Sequence, residues 1–226
     1  MRMERSKNME LDKRQVMSSL AAALVLACLG SARADEAARA FPEKKCKYVL
    51  PSKEWSWAQN PDPNAILMAV GPRGLIVTCA AMTLPAMAPL DSNFTAGFDK
   101  NYFKPGQQEK RNSSFITFQG IPCYEARGTM NTGQTTATRV FLAHGFGYVL
   151  VAIGEGQQPV EQDPDCEKIF AGFSFTTPPP ANPPPVNPPP APTERDNISY
   201  KMGQIVGYCL IAIIGIVLLR RLFGKS

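Results

Sequence analysis

Histidine, the side chain most often used for acid–base catalysis, occurs once in the chain, as His144. A single histidine excludes zinc motifs that need two, such as H-E-x-x-H. A Ser-His-Asp set would have to use His144, but the sequence has no G-x-S-x-G elbow for the nucleophile. We therefore expect His144 to be structural, and we predict no catalytic, cofactor-binding or metal-binding residue.

Two groups of charged residues have spacings that could matter for chemistry. Asp163, Asp165 and Glu167 lie where a helix is predicted to begin. The positive end of a helix dipole favours carboxylates, so we interpret them as helix-stabilising, with a calcium site as the alternative. Glu125 and Arg127 alternate along a predicted strand, which places them on one face. We interpret that face as solvated.

The cysteines indicate the compartment. Cys28 and Cys209 lie in the two terminal apolar stretches, which leaves Cys46, Cys79, Cys123 and Cys166 in the body of the chain. An even number is compatible with two disulfides in an oxidising compartment, and four buried free thiols are the alternative. A cross-strand Cys79–Cys123 bridge with Cys46–Cys166 is our chosen pairing among three. No C-x-x-C occurs, which excludes a thioredoxin-like motif.

The C-terminal apolar stretch predicts a membrane anchor. Met202 to Leu219 contains no charge, and a helix of this length spans roughly 27 Å, the low end for a bilayer core. Arg220 and Arg221 follow directly and predict a cytoplasmic tail over residues 220–226. A buried core helix is the alternative. Gly203 and Gly207 form G-x-x-x-G, which can bring two such helices together, so a weak homodimer is expected.

The N-terminus has the order of a secretory signal peptide over residues 1–34. Basic residues precede the apolar run Val16 to Gly30, and Ala32-Arg33-Ala34 is a small-x-small cleavage site. An uncleaved anchor and lipoprotein processing at Cys28 are the alternatives. With an exported start and a cytoplasmic end, residues 35–177 are expected to lie outside the cytoplasm of a bacterial cytoplasmic (inner) membrane.

Charge argues against nucleic-acid binding. The whole chain has a formal charge of +5, but residues 35–177 hold thirteen Lys/Arg and fourteen Asp/Glu, a net charge of −1. The basic excess therefore belongs to the termini, and the domain has no basic stripe of the kind that nucleic-acid readers carry.

Hydrophobic patterning predicts an α+β domain over residues 35–177, with an antiparallel sheet flanked by helices. A polar lead-in precedes the first strand, and a helix is expected over 91–103 because Phe94, Phe98 and Tyr102 form one stripe. Short connections between the later strands favour antiparallel neighbours. The predicted strands are 48–50, 55–57, 65–70 and 75–82 (a hairpin), 114–118, 121–130, 136–144 and 148–153, followed by a helix from 163–164 and an edge strand at 173–175.

The order of these elements resembles the PsbP-like superfamily over about residues 46–177. The resemblance rests on Tyr48-x-x-Pro51-x-x-x-Trp55, the Gly71-to-Thr78 hairpin, Phe94/Phe98, Gly120-Ile121-Pro122-x-Tyr124, Arg139-x-Phe141, Gly147-Tyr148-x-Leu150 and Ile169-Phe170-x-x-Phe173-x-Phe175. It implies a sandwich with a central antiparallel sheet. It carries no catalytic signature, and fold alone does not give function.

Residues 178–201 form a Pro-rich linker. Ten of the fifteen residues 178–192 are proline, so polyproline II is expected, reaching roughly 45 Å. We interpret it as a stalk, with a docking site for a Pro-binding module as the alternative. The whole chain then predicts a membrane-anchored binding or assembly domain with a protein partner outside the cytoplasm. The alternative is an enzyme with an unrecognised site in a sheet–helix cleft.

Overall fold

The structure is a computed structural model that describes residues 37–59, 65–84, 89–155, 158–179 and 198–207. The strands are β1 (Ala38–Phe41), β2 (Cys46–Val49), β3 (Ser56–Trp57), β4 (Ala65–Val70), β5 (Ile76–Thr83), β6 (Gln108–Phe118), β7 (Ile121–Met130), β8 (Thr135–Ala143), β9 (Phe146–Gly154) and β10 (Phe173–Phe175). The helices are α1 (Ser92–Tyr102), α2 (Cys166–Ala171) and α3, whose described part is residues 198–207.

Seven strands form one antiparallel sheet in the order β3-β4-β5-β9-β8-β7-β6. Two of its turns contain two residues each, Gln119–Gly120 and His144–Gly145, and all four have φ between +52° and +79°. Positive φ at both central positions is the type I′ pattern, whose twist matches that of the flanking strands. These turns join β6 to β7 and β8 to β9, and α1 lies in the connection from β5 to the far edge strand β6.

The sheet is covered on both faces, because alternate side chains of each strand point to opposite sides. On the front face lie α2 and a second, three-stranded antiparallel sheet in the order β1-β2-β10. On the rear face lie α1 and α3. The front layer buries Cys46, Tyr48, Cys79, Cys123, Phe141, Ile169, Phe170 and Phe173, and the rear layer buries Phe94, Phe98, Tyr102, Val149, Val151 and Val206.

Most sequence-predicted elements are confirmed within a few residues. The helix over 91–103 is α1, and its cap is Asp91, whose side chain accepts a hydrogen bond from the Phe94 amide. The 65–70 and 75–82 segments are the β4–β5 hairpin. The last helix begins at Cys166, a little later than predicted, and Phe173–Phe175 pairs with β2 as the expected short strand.

Two segments differ from the prediction. The polar lead-in forms β1, because its backbone pairs with β2 even though its side chains lack an apolar pattern. Strand β6 begins at Gln108 instead of Ser114. The additional residues are mostly exposed, so burial did not mark them in the sequence, whereas the ladder to β7 extends along them.

The cysteine prediction is not borne out. Cys46, Cys79, Cys123 and Cys166 are buried free thiols. The Cys79–Cys123 pairing is wrong, because β9 and β8 lie between β5 and β7. Three strand spacings are about 14 Å, twice the roughly 7 Å limit between the Cα atoms of a disulfide.

The predicted anchor is described only at its beginning. Residues 202–207 belong to α3, and so do residues 198–201, which were predicted as the end of the linker. The remaining residues up to 219, together with Arg220 and Arg221, lie outside the described residues. In the described part of the chain, no helix has the length and apolar character that crossing a membrane requires. The signal peptide and most of the Pro-rich linker also lie outside the described residues.

Candidate functional site

A partly buried cluster of charged residues, the Arg139 cluster, lies between the main sheet and α2. It consists of Glu125 and Arg127 on β7, Arg139 on β8 and Glu167 on α2. Glu125 and Arg139 are opposite each other in the β7–β8 register, which brings their side chains together on the front face. The residues are 6% and 8% exposed, respectively.

Every charge in the Arg139 cluster has a partner. Arg139 donates from Nε to Glu125 Oε2 (2.8 Å) and from Nη2 to Glu167 Oε1 (3.0 Å). Arg127 Nη2 donates to the other Glu125 oxygen (2.7 Å). The Arg139 guanidinium also lies 4.0 Å from the centre of the Phe170 ring, a cation–π contact. The expectation of a solvated face at Glu125 is therefore wrong, because α2 covers it.

This arrangement fixes α2 in position and keeps Glu125 and Arg139 buried and bound to each other. Both oxygens of the Glu125 carboxylate accept hydrogen bonds from guanidinium groups, one from Arg127 and the other from Arg139. The cluster joins β7, β8 and α2 through one buried arginine. We assign it a structural role, because a catalytic acid or base must reach a substrate proton.

The three carboxylates predicted at the start of the last helix bind cations of the protein itself. Asp163 and Asp165 accept hydrogen bonds from Arg73, at 2.8 and 3.1 Å. Lys168 donates to Asp165 (2.9 Å), and this bond and the one from Arg73 lower the pKa of the Asp165 carboxyl. Glu167 belongs to the Arg139 cluster, on the other side of the helix. Among the described residues no group of acidic, Cys or His side chains is arranged to hold a metal ion.

His144 lies in a β-turn and is bound to the backbone. Its Nε2 is 3.0 Å from the carbonyl oxygen of Thr177, and its ring is 5.5 Å from that of Phe175. It has φ +55°, a left-handed conformation in which Gly145 follows it. These contacts attach the end of the domain to the β8–β9 turn.

The four thiols are poor nucleophiles. Burial raises the pKa of Cys46, Cys123 and Cys166 to about 12 each, and it raises that of Cys79 well above the usual range. Nucleophilic chemistry needs the thiolate, which burial disfavours here. The thiols therefore act as small apolar core side chains.

An open depression of about 500 Å³ lies where β6 begins and β7 ends. Phe103 and Pro105 contribute apolar surface, and Lys110 and Asn131 contribute polar groups. Lys110 donates to Asp99 and to the Tyr124 hydroxyl (3.1 Å), and Asn131 Nδ2 donates to the Gly106 carbonyl oxygen (3.0 Å). These two groups are bound to the protein's own atoms, and Gln107, Gln108 and Glu109 also line the depression.

Strand β6 is an edge of the main sheet, a feature that the sequence analysis missed. It is eleven residues long and pairs only with β7 among the described strands. Residues 112–118 (NSSFITF) carry no charge, and Phe115 is 45% exposed. A long uncharged edge is unusual, because natural proteins commonly protect such edges with charges or proline. The signal available in the sequence was the β-branched and aromatic run after Arg111.

Helix α3 lies against α1 in parallel. Near the beginning of both helices, Ser199 Oγ donates to Asp91 Oδ1 (2.8 Å) and to the Pro89 carbonyl oxygen (3.1 Å). Further along, Asn101 Nδ2 donates to the Gln204 carbonyl oxygen (3.1 Å). Val206 is completely buried in the rear layer. The structure therefore brings the predicted Gly203 and Gly207 face to α1.

Comparisons with known proteins bear on the fold alone. No protein-family model matches the chain, and no curated protein matches it. The solution structure of cyanobacterial PsbP (CyanoP) from Synechocystis sp. PCC 6803 is similar at 10% sequence identity and a TM-score of 0.47, covering 61% of this chain and 91% of that one. A crystal structure from Bacteroides thetaiotaomicron VPI-5482 is similar at 8% identity and a TM-score of 0.44, covering 61% of this chain and 47% of that one.

Proposed function

We propose that the chain is a non-enzymatic binding or assembly domain, anchored by a single span in a bacterial cytoplasmic membrane and displayed outside the cytoplasm. The signal peptide, the Pro-rich linker (178–201) and the span (202–219) predicted from the sequence support this placement. Its partners are the lipid bilayer and a protein outside the cytoplasm. In the described domain the charged groups considered above bind one another, which favours binding over catalysis.

The observation that carries the binding role is the β6 edge. Its hairpin with β7 has the two-residue turn Gln119–Gly120, so Phe118 and Ile121 form a hydrogen-bonded pair. Bonding then alternates along the strand, and the N–H groups of Ser113, Phe115 and Thr117 point away from β7. Pro122 fits this register, since it lies opposite Thr117 in a pair that needs no N–H from it. The outward groups can bind an extended segment of a partner by strand addition.

A proline at position 113 tests the proposal. Ser113→Pro removes one outward N–H while leaving the ladder to β7 intact, and proline is tolerated on edge strands in that orientation. Ser113→Ala is the matched control, because it keeps the N–H and removes only the hydroxyl. A photo-crosslinking side chain at Phe115, in intact cells, should capture a protein partner in the Ser113→Ala background and lose it in Ser113→Pro. Equal capture in both backgrounds would refute strand addition.

A reporter fusion tests the placement in the membrane independently. A reporter that is active only outside the cytoplasm should be active after Thr177 and silent after Ser226. Activity at both positions would show that residues 202–219 do not stop in the membrane.

A further inference from the structure

The six residues Met202 to Gly207 belong both to the folded domain in the structure and to the membrane span that the sequence predicts. In the domain they form six of the ten described residues of α3, with Gly203 and Val206 buried against α1. In the sequence they are the first third of the only stretch of the C-terminal region long enough to cross a bilayer. Packing in the domain requires these residues to lie against α1, whereas the span requires them to lie in the bilayer.

The contact with α1 depends on glycine in both helices. A Cβ atom on Gly97 of α1 would lie less than 3.0 Å from the Tyr200 carbonyl oxygen, and one on Gly203 equally close to that of Phe94. On Gly207 it would lie 2.8 Å from the Phe98 carbonyl oxygen. Real Cβ atoms essentially never come so close, so only glycine allows these backbones to approach. Helix α3 therefore fits closely into a groove on α1, which we call the α1 groove and which is formed by Phe94, Gly97, Phe98 and Asn101.

Docking of α3 on α1 shortens the apolar segment that is left to cross the bilayer. With Met202 to Gly207 held in the groove, twelve apolar residues (208–219) precede Arg220. As a helix they would cover roughly 18 Å, against a hydrocarbon core of about 30 Å. The full stretch from Met202 would cover roughly 27 Å. A docked helix therefore leaves the span too short, and a fully inserted helix must leave the groove.

The docked position and the inserted position each leave some apolar side chains exposed to water. Docking buries Val206 but leaves Ile205 50% exposed and Ile198 43% exposed. Lipid would cover Ile205, with Lys201 placed at the interface, but withdrawal would uncover Phe94 and Phe98, which are now fully buried. Each state buries apolar surface that the other exposes.

We infer that the α1 groove is an intramolecular binding site for residues 198–207, and that docking there and full insertion into the bilayer exclude each other. In the docked state Pro179 and Ile198, on either side of the Pro-rich segment, both lie at the domain. The inserted state needs that segment as a spacer. The G-x-x-x-G face that docks on α1 is the same face that could pair with a second copy, so docking also competes with dimerisation. This inference rests on the proposed membrane anchor.

Bilayer thickness tests the competition directly. Ser199 Oγ of α3 lies 2.8 Å from Asp91 Oδ1 at the start of α1, so Asp91→Cys with Ser199→Cys should form a disulfide under a mild oxidant when α3 is docked, and this pair replaces no glycine of the contact. The full-length chain with Cys209→Ser is placed in phosphatidylcholine vesicles with short or long acyl chains. Cross-linking should be strong in thin bilayers and fall severalfold in thick ones, where the span needs residues 202–207. Ala96→Cys with Ser199→Cys is the matched control, because Ala96 is exposed on α1, and it should not cross-link.

A second variant separates the two demands. Six apolar residues inserted before Arg220 lengthen the span, so the bilayer no longer needs Met202 to Gly207. Cross-linking should then be strong at both thicknesses. Equal cross-linking of the unextended chain at both thicknesses would overturn the competition, and its absence at both thicknesses and in detergent would overturn docking.

A substitution on α1 tests the α1 groove without altering the sequence of the predicted span. Gly97→Val should abolish cross-linking in detergent, whereas Ala96→Val, which adds a similar volume at an exposed neighbour, should not. Continued protection of the four buried thiols from a thiol reagent shows that the Gly97→Val domain is folded. Cross-linking that persists in Gly97→Val would show that docking on α1 does not depend on glycine, and would overturn the inference. Extraction of the chain from membranes by alkaline carbonate would instead refute the membrane anchor. In that case the disulfide would still form, so the two failures can be told apart.

Discussion

Replacing Arg139 should destabilise the domain far more than replacing its exposed partner. Arg139→Met leaves the Glu125 carboxylate, whose side chain is 8% exposed, without its closest buried cation. Breaking a buried pair costs about 3–5 kcal/mol, because one charge stays buried without compensation. Arg127 still donates to Glu125 and is 34% exposed, so we expect the low end, about 3 kcal/mol. Methionine keeps much of the apolar contact with Phe170, which isolates the charge effect.

The matched comparison uses the other end of the same network. Glu167 also accepts from Arg139, but its side chain is 76% exposed. Exposed ion pairs contribute about 0–1 kcal/mol, so Glu167→Gln should lower the free energy of unfolding by less than about 1 kcal/mol. The double variant Glu125→Leu/Arg139→Met removes both buried charges, and it should be more stable than Arg139→Met alone.

Guanidinium unfolding of the full-length chain in mild detergent measures these differences. Trp55 and Trp57 are the only tryptophans in the chain, and both are buried, so their fluorescence reports the domain. A loss in Arg139→Met no larger than in Glu167→Gln would refute the reasoning. So would a double variant as unstable as the sum of its two single substitutions.

Three further outcomes are expected. Gly71→Ala would force a Cβ into the Trp55 ring, so it should lower the free energy of unfolding by about 1–3 kcal/mol and change tryptophan fluorescence, whereas Gly133→Ala, at an open turn, should not perturb the fluorescence. The thiols of Cys46, Cys79, Cys123 and Cys166 should resist alkylation at mildly alkaline pH in the native chain and all react after unreduced denaturation; no reaction after denaturation would restore the disulfide prediction. Burial works to raise the pKa of Glu161, but the guanidinium of Arg111 outweighs it and holds the pKa below the usual range. That contribution is fully present above the ordinary carboxyl pKa and is lost as the pH falls through the lowered value, so melting temperature should fall less steeply with acid in Arg111→Leu than in the unaltered chain.

The elements of the fold could be predicted where burial of one side of a helix or strand produces a regular spacing of apolar residues in the sequence. The Phe94, Phe98 and Tyr102 stripe marks α1 because one side of that helix faces the core. The β1 strand left no such mark, since its side chains are half exposed and its place is set by backbone pairing with β2. The extended start of β6 was missed for the same reason.

The candidate site could be predicted only in its separate parts. Glu125 and Arg127 share a strand face in any register, so their proximity followed from the sequence. The burial of Glu125 did not, because it depends on Arg139 being opposite Glu125 and on α2 covering that pair. Charged residues on a strand are solvated on average, and the partner that changes this comes from an element 28 residues further on than Arg139.

The sequence by itself determined the order and type of the main elements, the neutral charge of the domain, the lone histidine and the apolar C-terminal stretch. These properties follow from composition and local spacing, which do not depend on where the chain returns in space. Only the tertiary structure decided that Cys79 and Cys123 are three strands apart, that β6 is an open edge, and that Gly203 and Gly207 face α1. Each of these depends on strand order or helix docking, and contacts between residues far apart in the chain leave no periodic pattern in either segment alone.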